Sequence, residues 1–371
     1  MQPGTVCAPL RSEWAALRGA IAAPMVRTGR GPTHRLDGQA GAIAVAGVAG
    51  ALAPGLLPGD LVVAQEIRRR GSMLPSYAAP LLYSALRHLG LRVHLGPIYS
   101  AEYIVDGPAR ERLAATGALA VDTESAFLAG AVPDGRAVVL RAIVDTPNAP
   151  LVHPGTVLRG IRALHALRCA APILDRWAAA LGEREVLLFG PSQAGSGARA
   201  HPDAAEEDSD GARPHADRTL PPTSTPKAHE FGPHARRIRP PRTDLVLVLV
   251  APEAAGAQPS DTPRADTRVP RITGKYIWGP AHSGTAEISE MCPDAGLVEL
   301  AATQGVPVHP IGRVEDLDLH LLRNTRRIAV FAAPSAPATL RTELIDALSG
   351  LGPVRVRETT VAEELRSTLG R

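Results

Sequence analysis

Residues 201–243, HPDAAEEDSDGARPHADRTLPPTSTPKAHEFGPHARRIRPPRT, constrain this chain more than any other stretch. They hold few large apolar groups and many prolines and charges. Ordering them would cost conformational entropy with little burial to offset it. They read as a linker or a long disordered insert. They separate an apolar block before them from another after them. His201, His215, His229 and His234 fall in this segment. Their irregular spacing and proline neighbours mark them as solvated rather than as metal ligands.

The chain of 371 residues is long enough for about two domains. Its apolar share is 45% with only 3% aromatic residues, so the cores must be built from Ala, Val and Leu. The net charge is +3 and the basic residues are scattered, without the basic stripe and interleaved aromatics of a nucleic-acid binder. Cys7, Cys169 and Cys292 lie far apart with no C-x-x-C pair, which argues against a disulfide framework or a zinc site. No segment reads as a signal peptide. No apolar run nears the roughly 20 residues of a membrane helix, and a soluble cytoplasmic protein is expected.

Residues 1–182 read as continuous α/β. AIAVAGVAGAL (42–52) and DLVVAQEI (60–67) are strands separated by Pro58-Gly59-Asp60. Residues 76–90 have helical spacing, and AVVLRAIVD (137–145) reads as a central strand. The stretch 156–181 is a long amphipathic helix, with Leu158, Ile161, Leu164 and Cys169 near one face and Cys169 as a small core residue. Beyond it, 183–200 opens a second unit, 244–253 (DLVLVLVAPE) returns to strand, and 254–272 is a Pro- and Asp-rich loop. From 297 to 350 helix and strand alternate, which makes 244–371 a smaller α/β unit. The loop in VLLFGPSQAGSGARA (186–200) lacks the lysine of a phosphate-binding G-x-x-x-x-G-K-[ST].

Four pieces of the first block belong together: VAGVAGALAPGLLPGDLVVAQE (45–66), GPIYSAEYIV (96–105), AVDTESAFLAG (120–130) and LRAIVDTP (140–147). In this order residues 5–182 resemble the nucleoside phosphorylase and nucleosidase superfamily. The resemblance implies an α/β/α domain with a mixed central sheet and an enzyme that cleaves the N-glycosidic bond of a purine nucleoside. It assigns Glu124 to the ribose hydroxyls, and an ionised carboxylate accepts two strong hydrogen bonds. It assigns Asp145 as general acid to the leaving base. Gly47, Ala49 and Gly50 would bring backbone close to the ligand, with Thr123 and Tyr103 among the substrate contacts. Glu13 stands where hydrolytic members keep the carboxylate that activates water. In MVRTGRGPTHRL (25–36), Arg30 and Gly31 fall in the anion or water side, where Arg11 or Arg30 could instead steer phosphate as a co-substrate. Thr123 replaces the family's Met and Val144 its Ser. Taken alone, Glu124 also reads as a carboxylate at a helix N-terminus, and Asp145 as a cap after a strand. A homo-oligomer acting on a small-molecule nucleoside, with no cofactor, follows by analogy.

The segment 155–177, GTVLRGIRALHALRCAAPILDRW, looks like a branch of that superfamily from hopanoid and isoprenoid gene neighbourhoods. That likeness implies release of adenine from a lipid-linked nucleoside. In the second block, 244–254, 297–318 and 328–352 resemble the end of 4-hydroxy-3-methylbut-2-enyl diphosphate reductase, an iron–sulfur enzyme. Ser335 matches a diphosphate-binding serine of that family. Gln193 stands in place of the first cluster cysteine, the other ligand positions are missing, and Cys292 lies at none of them. An iron–sulfur cluster is therefore not expected. A reductase remnant, an active reductase, or a scaffold decayed from two enzymes are the other readings of the chain.

Overall fold

The computed structural model describes residues 4–31, 41–133, 135–149, 154–189, 243–252, 301 and 305–360. Outside them lie the 201–242 part of the linker, the loop 254–272, Gln193, Cys292 and nearly all of 297–304.

The first unit begins with β1 (Thr5–Ala8), α1 (Arg11–Leu17) and β2 (Met25–Arg27). The glycine-bearing apolar run forms β3 (Ile43–Ala51), and the next forms β4 (Leu61–Arg69). Then come β5 (Ser72–Pro75), α2 (Ala79–His88), β6 (Val93–Ser100), α3 (Gly107–Ala114), β7 (Ala120–Asp122) and the short α4 (Ser125–Ala129). Strand β8 (Ala137–Asp145) is buried along its whole length, and α5 (Thr156–Ala180) closes the unit.

These strands form one mixed sheet in the order β2-β1-β3-β7-β6-β4-β5, with β8 pairing both β3 and β4. Because β8 is parallel to β3 and antiparallel to β4, the strands β3, β7, β6, β4 and β8 close a ring. The mixed sheet was expected from the family resemblance, but its closing into a ring was not. Register shifts at Ala49/Gly50 and Ala64/Glu66 supply the difference, since a bulge bends and twists its strand.

The face of α5 differs from the expected one. Ala163, Leu167, Ala170, Ile173, Leu174 and Trp177 are buried, whereas Leu158 and Ile161 are mostly exposed. Cys169 is half-buried, with His165 Nδ1 3.7 Å from its Sγ. Alanines, which the sequence reading passed over, let the helix pack closely on β8 and α1 and so decide which side faces inward.

The second unit is a five-stranded, all-parallel sheet. Its strands are β9 (Arg184–Phe189), β10 (Leu245–Leu249), β11 (Val308–Ile311), β12 (Arg327–Ala332) and β13 (Val354–Thr359), in the order β11-β10-β12-β9-β13. Runs such as LVLVL suit a parallel strand covered on both faces. Phe189 and Phe331 stack across neighbouring strands at 4.4 Å. Helix α6 (Leu340–Ser349) covers one face.

One apolar cluster runs from the first unit into the second, joining Leu81, Leu82 and Trp177 to Leu247, Leu344 and Leu348. At the seam, Ser84 donates to the carbonyl of Glu315 at 2.5 Å. A side chain on Gly350 would begin 2.5 Å from the Ala78 nitrogen, so the contact admits only glycine there.

Candidate active site

Four segments meet at one end of the first sheet. Strand β8 supplies Arg141 and Asp145, the β7–α4 turn supplies Asp122, Thr123, Glu124 and Ser125, and β3 supplies two glycines. Helix α1 supplies Glu13.

Arg141 lies in the middle of an apolar strand and is fully buried. Its Nε is 2.7 Å from Asp122 Oδ2, and its Nη2 is 3.0 Å from Ser125 Oγ and 3.4 Å from Glu124 Oε2. Burial pulls the guanidinium's pKa down, but Asp122, Glu124 and Glu13 together more than reverse this and raise it. Its Nη1 has no hydrogen-bond partner among the described residues.

Asp122 organises the turn. Its Oδ1 accepts from Ser100 Oγ at 2.5 Å and from the Glu124 and Ser125 backbone N–H groups at 3.3 Å each. It therefore does the capping that Glu124 would do if Glu124 were only a helix-terminal carboxylate. Glu124 itself is 6% exposed and makes no cap bond. Its carboxylate accepts from the Thr123 hydroxyl and, at 3.3 Å, from the Gly31 N–H. Thr123 thus contacts Glu124 directly. The Gly31 backbone, in the left-handed region at φ 81°, meets Glu124 from the loop after β2, while Arg30 is exposed.

Glu13 is buried at 1% exposure. Its Oε2 accepts from the Leu10 N–H at 2.6 Å, closing the start of α1, and its Oε1 accepts from the Val48 N–H of β3 at 2.7 Å. Burial raises its carboxyl pKa above the usual range, against the lowering pull of Arg141 and of those two N–H bonds. Gly47 is what allows the approach. A side chain there would begin 2.3 Å from Arg141 Nη1 and 2.6 Å from Glu13 Oε1.

Asp145 ends β8, buried, with Oδ2 2.5 Å from Arg110 Nη1. Arg110 reaches in from α3 and also donates to the Ala51 carbonyl, from Nη2 at 2.6 Å and Nε at 3.0 Å. Gly50 makes room for this pair, since a side chain there would begin 2.9 Å from Arg110 Nη2 and 3.1 Å from Asp145 Oδ1. Both glycines that the sequence marked for ligand approach are required by the protein's own side chains. Ala49 points into the apolar cluster behind the sheet, and Val144 packs in the core shared with α5.

Tyr103 is 68% exposed on the loop after β6. Ser335 sits exposed in the turn after β12, in the second unit. Sequence reasoning missed Asp122, Ser125, Arg141 and Arg110. A visible signal existed for Arg141, as a cation inside AVVLRAIVD has to find buried carboxylates. Arg110 gave none, being one of several arginines on a polar helix. Among the described residues no group of three or more His, Cys, Asp or Glu could hold a metal, and no helix is long and apolar enough to cross a membrane.

Residues 14–149 match the sequence profile of the phosphorylase superfamily. Among solved structures, 5′-methylthioadenosine/S-adenosylhomocysteine nucleosidase from Helicobacter pylori is 18% identical, with 47% of this chain and 96% of that chain covered and a TM-score of 0.39. S-adenosylhomocysteine nucleosidase from Streptococcus pyogenes is 19% identical over 47% and 97%, with a TM-score of 0.37. Futalosine hydrolase of Helicobacter pylori is 18% identical over 47% and 95%, with a TM-score of 0.39. No curated protein matches the chain.

Proposed function

We propose that the first unit hydrolyses the N-glycosidic bond of a purine nucleoside. One observation carries the reading. Three buried carboxylates, Glu13, Glu124 and Asp145, gather around one end of a sheet whose glycine-bearing strand lets two of them approach it. Cleavage leaves positive charge on the sugar and electrons on the base. Glu124, held by Thr123 and Arg141, accepts from the ribose hydroxyls. Asp145 delivers a proton to the purine ring as the bond between sugar carbon and ring nitrogen breaks. Water adds to the sugar carbon, and Glu13 takes its proton.

Water rather than phosphate is favoured by the company of Glu13. The free Nη1 of Arg141 lies beside it and can orient a small neutral nucleophile. A phosphate would have to sit against a buried carboxylate. No cofactor enters this chemistry.

An apolar 5′ substituent on the substrate is supported by Val157, Leu158 and Ile161, all more than half exposed at the start of α5, shortly after Asp145 in the chain. Such a row suits a hydrocarbon-bearing nucleoside of the kind expected from the 155–177 segment. The phosphorylase superfamily match over 14–149 supports the reaction class.

The test incubates the full chain with adenosine, 5′-methylthioadenosine and an adenosine carrying a long 5′-alkyl group. Each is run with and without phosphate, and released base is separated by chromatography. Adenine is expected without phosphate, lost in Asp145→Asn, with the lowest KM for the alkylated substrate. Absence of base from all three would overturn the reading. A strict need for phosphate would turn it to phosphorolysis.

A further inference from the structure

Helix α5 has an outward side that no described residue covers. Its inward side is used by the core, with Ala163, Leu167, Ala170 and Leu174 buried. The outward side starts with Val157, Leu158 and Ile161, which are 71%, 65% and 58% exposed. His165, Cys169 and Pro172 continue the same row at helical spacing, exposed or half-buried. The loop after β3 adds to the patch. A side chain on Gly59 would begin 3.6 Å from Arg162 Cβ, so this loop packs on α5, and two residues before Gly59 it leaves Leu57 half-exposed. Single exposed aliphatics are ordinary on a protein surface, whereas a contiguous group marks a contact.

The charge around this patch has one sign. No Asp or Glu stands between Asp145 and Asp175, while Arg159, Arg162 and Arg168 do. Arg159 donates to the Thr156 hydroxyl at 2.8 Å and Arg168 to the Ala16 carbonyl at 3.2 Å. Arg162 and Arg168 are exposed, and among the described residues no carboxylate pairs with either. Asp175, near the other end of the helix, is taken up by the Ala22 and Ala23 N–H groups at 2.9 Å. Exposed arginines of the second unit differ, since Arg355 faces Glu183 and Arg357 faces Glu185.

We infer that the outward face of α5, from Val157 to Arg168, docks on an anionic lipid bilayer. The aliphatic row enters the outer part of the acyl region, and the arginines meet the headgroup phosphates. Aliphatic side chains beside arginines on one side of a helix match the two layers of such a surface, hydrocarbon beneath negative headgroups. A second copy of this chain fits less well, because a symmetric contact through α5 sets Arg162 and Arg168 against the same residues of the other copy. Nucleic acid also fits less well, since this face of α5 offers no Phe, Tyr or Trp to a base. Docking is read from the surface alone. Its purpose rests on the reading proposed above: a nucleoside bearing a hydrocarbon chain lies in a bilayer, and the docked protein meets it with the chain left in the lipid.

Flotation of the full chain with vesicles tests the inference. One set is phosphatidylcholine and the other is phosphatidylcholine and phosphatidylglycerol in equal parts. The protein is expected to float with the anionic vesicles alone and to be released by salt. Arg162→Gln should lower the partition coefficient about fivefold, the worth of one basic residue at an anionic surface. Leu158→Ser combined with Ile161→Ser should lower it by at least about tenfold. All three positions are exposed, so the variants should keep the melting temperature. No flotation with anionic vesicles would overturn the inference, as would equal flotation with neutral ones or flotation untouched by the double variant. A dimer that the double variant dissociates, with no flotation, would overturn it too and assign the face to a second copy. Adenine release from free adenosine, read on the same samples, keeps this inference apart from the proposed reaction. Flotation without release leaves docking in place and strikes the nucleosidase reading, and release without flotation does the reverse.

Discussion

Strands β8 and β10 are both buried from end to end, AVVLRAIVD against LVLVL, yet only β8 carries charge into the interior. In the first unit Arg141 meets Asp122, Glu124 and Ser125, and Asp145 meets Arg110, all at one end of the sheet. The second unit also buries an arginine, Arg184, but at the start of β9 and without a carboxylate partner among the described residues. Arg184 donates to the carbonyls of Ala180, Gly182 and Leu322, and burial lowers its pKa to about 10. A buried cation can thus serve as a tie between chain segments or as the hub of a carboxylate cluster. Each leaves one buried nitrogen without a partner among the described residues, Arg141 Nη1 and Arg184 Nε, but only that of Arg141 lies beside a carboxylate cluster.

The comparison breaks most readily through activity. Asp145→Asn is expected to lower base release by about 10²–10⁴-fold, the usual worth of a positioned acid. Ser335→Ala, in the second unit, should leave it unchanged in the same chromatographic assay. A large loss in Ser335→Ala would show that the second unit takes part in the chemistry.

The two arginines differ next in stability. Arg141→Met strands Asp122 and Glu124 as buried, uncompensated carboxylates and should cost about 3–5 kcal/mol. Arg184→Met frees only carbonyl acceptors and should cost about 1–3 kcal/mol. Urea unfolding of both variants measures the ratio. Equal losses would mean that the carboxylate cluster is compensated from elsewhere.

Glu13 sharpens the contrast through pH. Its folded carboxyl pKa is raised above the unfolded value, so between the two values the folded state holds more protons. Its contribution to stability is present below the unfolded value and is lost as pH rises through the folded one. Base catalysis needs the ionised form, so the rate rises across the same window. Stability and rate should move in opposite directions with pH just above the ordinary carboxylate range, and Glu13→Gln should flatten both. Thermal melts and initial rates over that range measure it.

The smallest expected effect concerns thiols. Burial pushes the Cys7 thiol up to about 12, so it should stay unreactive towards a thiol reagent in the native protein. Half-buried Cys169 should be modified at a measurable rate.

The backbone of the first unit was legible because its strands are continuous apolar runs, and β8 falls on the residues read from the sequence. The motifs singled out Glu124 and Asp145, and the resemblance Glu13, and the structure buries all three carboxylates. Three things were not legible. The closing of the sheet depends on bulges at Ala49/Gly50 and Ala64/Glu66, and a one-residue shift leaves no trace in apolar pattern. The inward face of α5 is set by alanines, which a count of large residues overlooks. The partner of Asp145 comes from a polar helix 35 positions away, and only the fold brings Arg110 to it.

The order of the strands in the second sheet has a consequence for how the protein is made. Among the described residues strand β9 pairs with β12 and β13 alone, and Glu185 meets Arg327 across 142 residues. At synthesis rates of about 5–20 residues per second, β9 leaves the ribosome on the order of ten seconds before its partners exist. The first unit ends at α5 and can close in that interval. The α2 surface that Glu315 and Gly350 later cover stays bare while it waits, and an apolar strand hangs beside it. Birth is therefore the moment at which this chain most needs a chaperone.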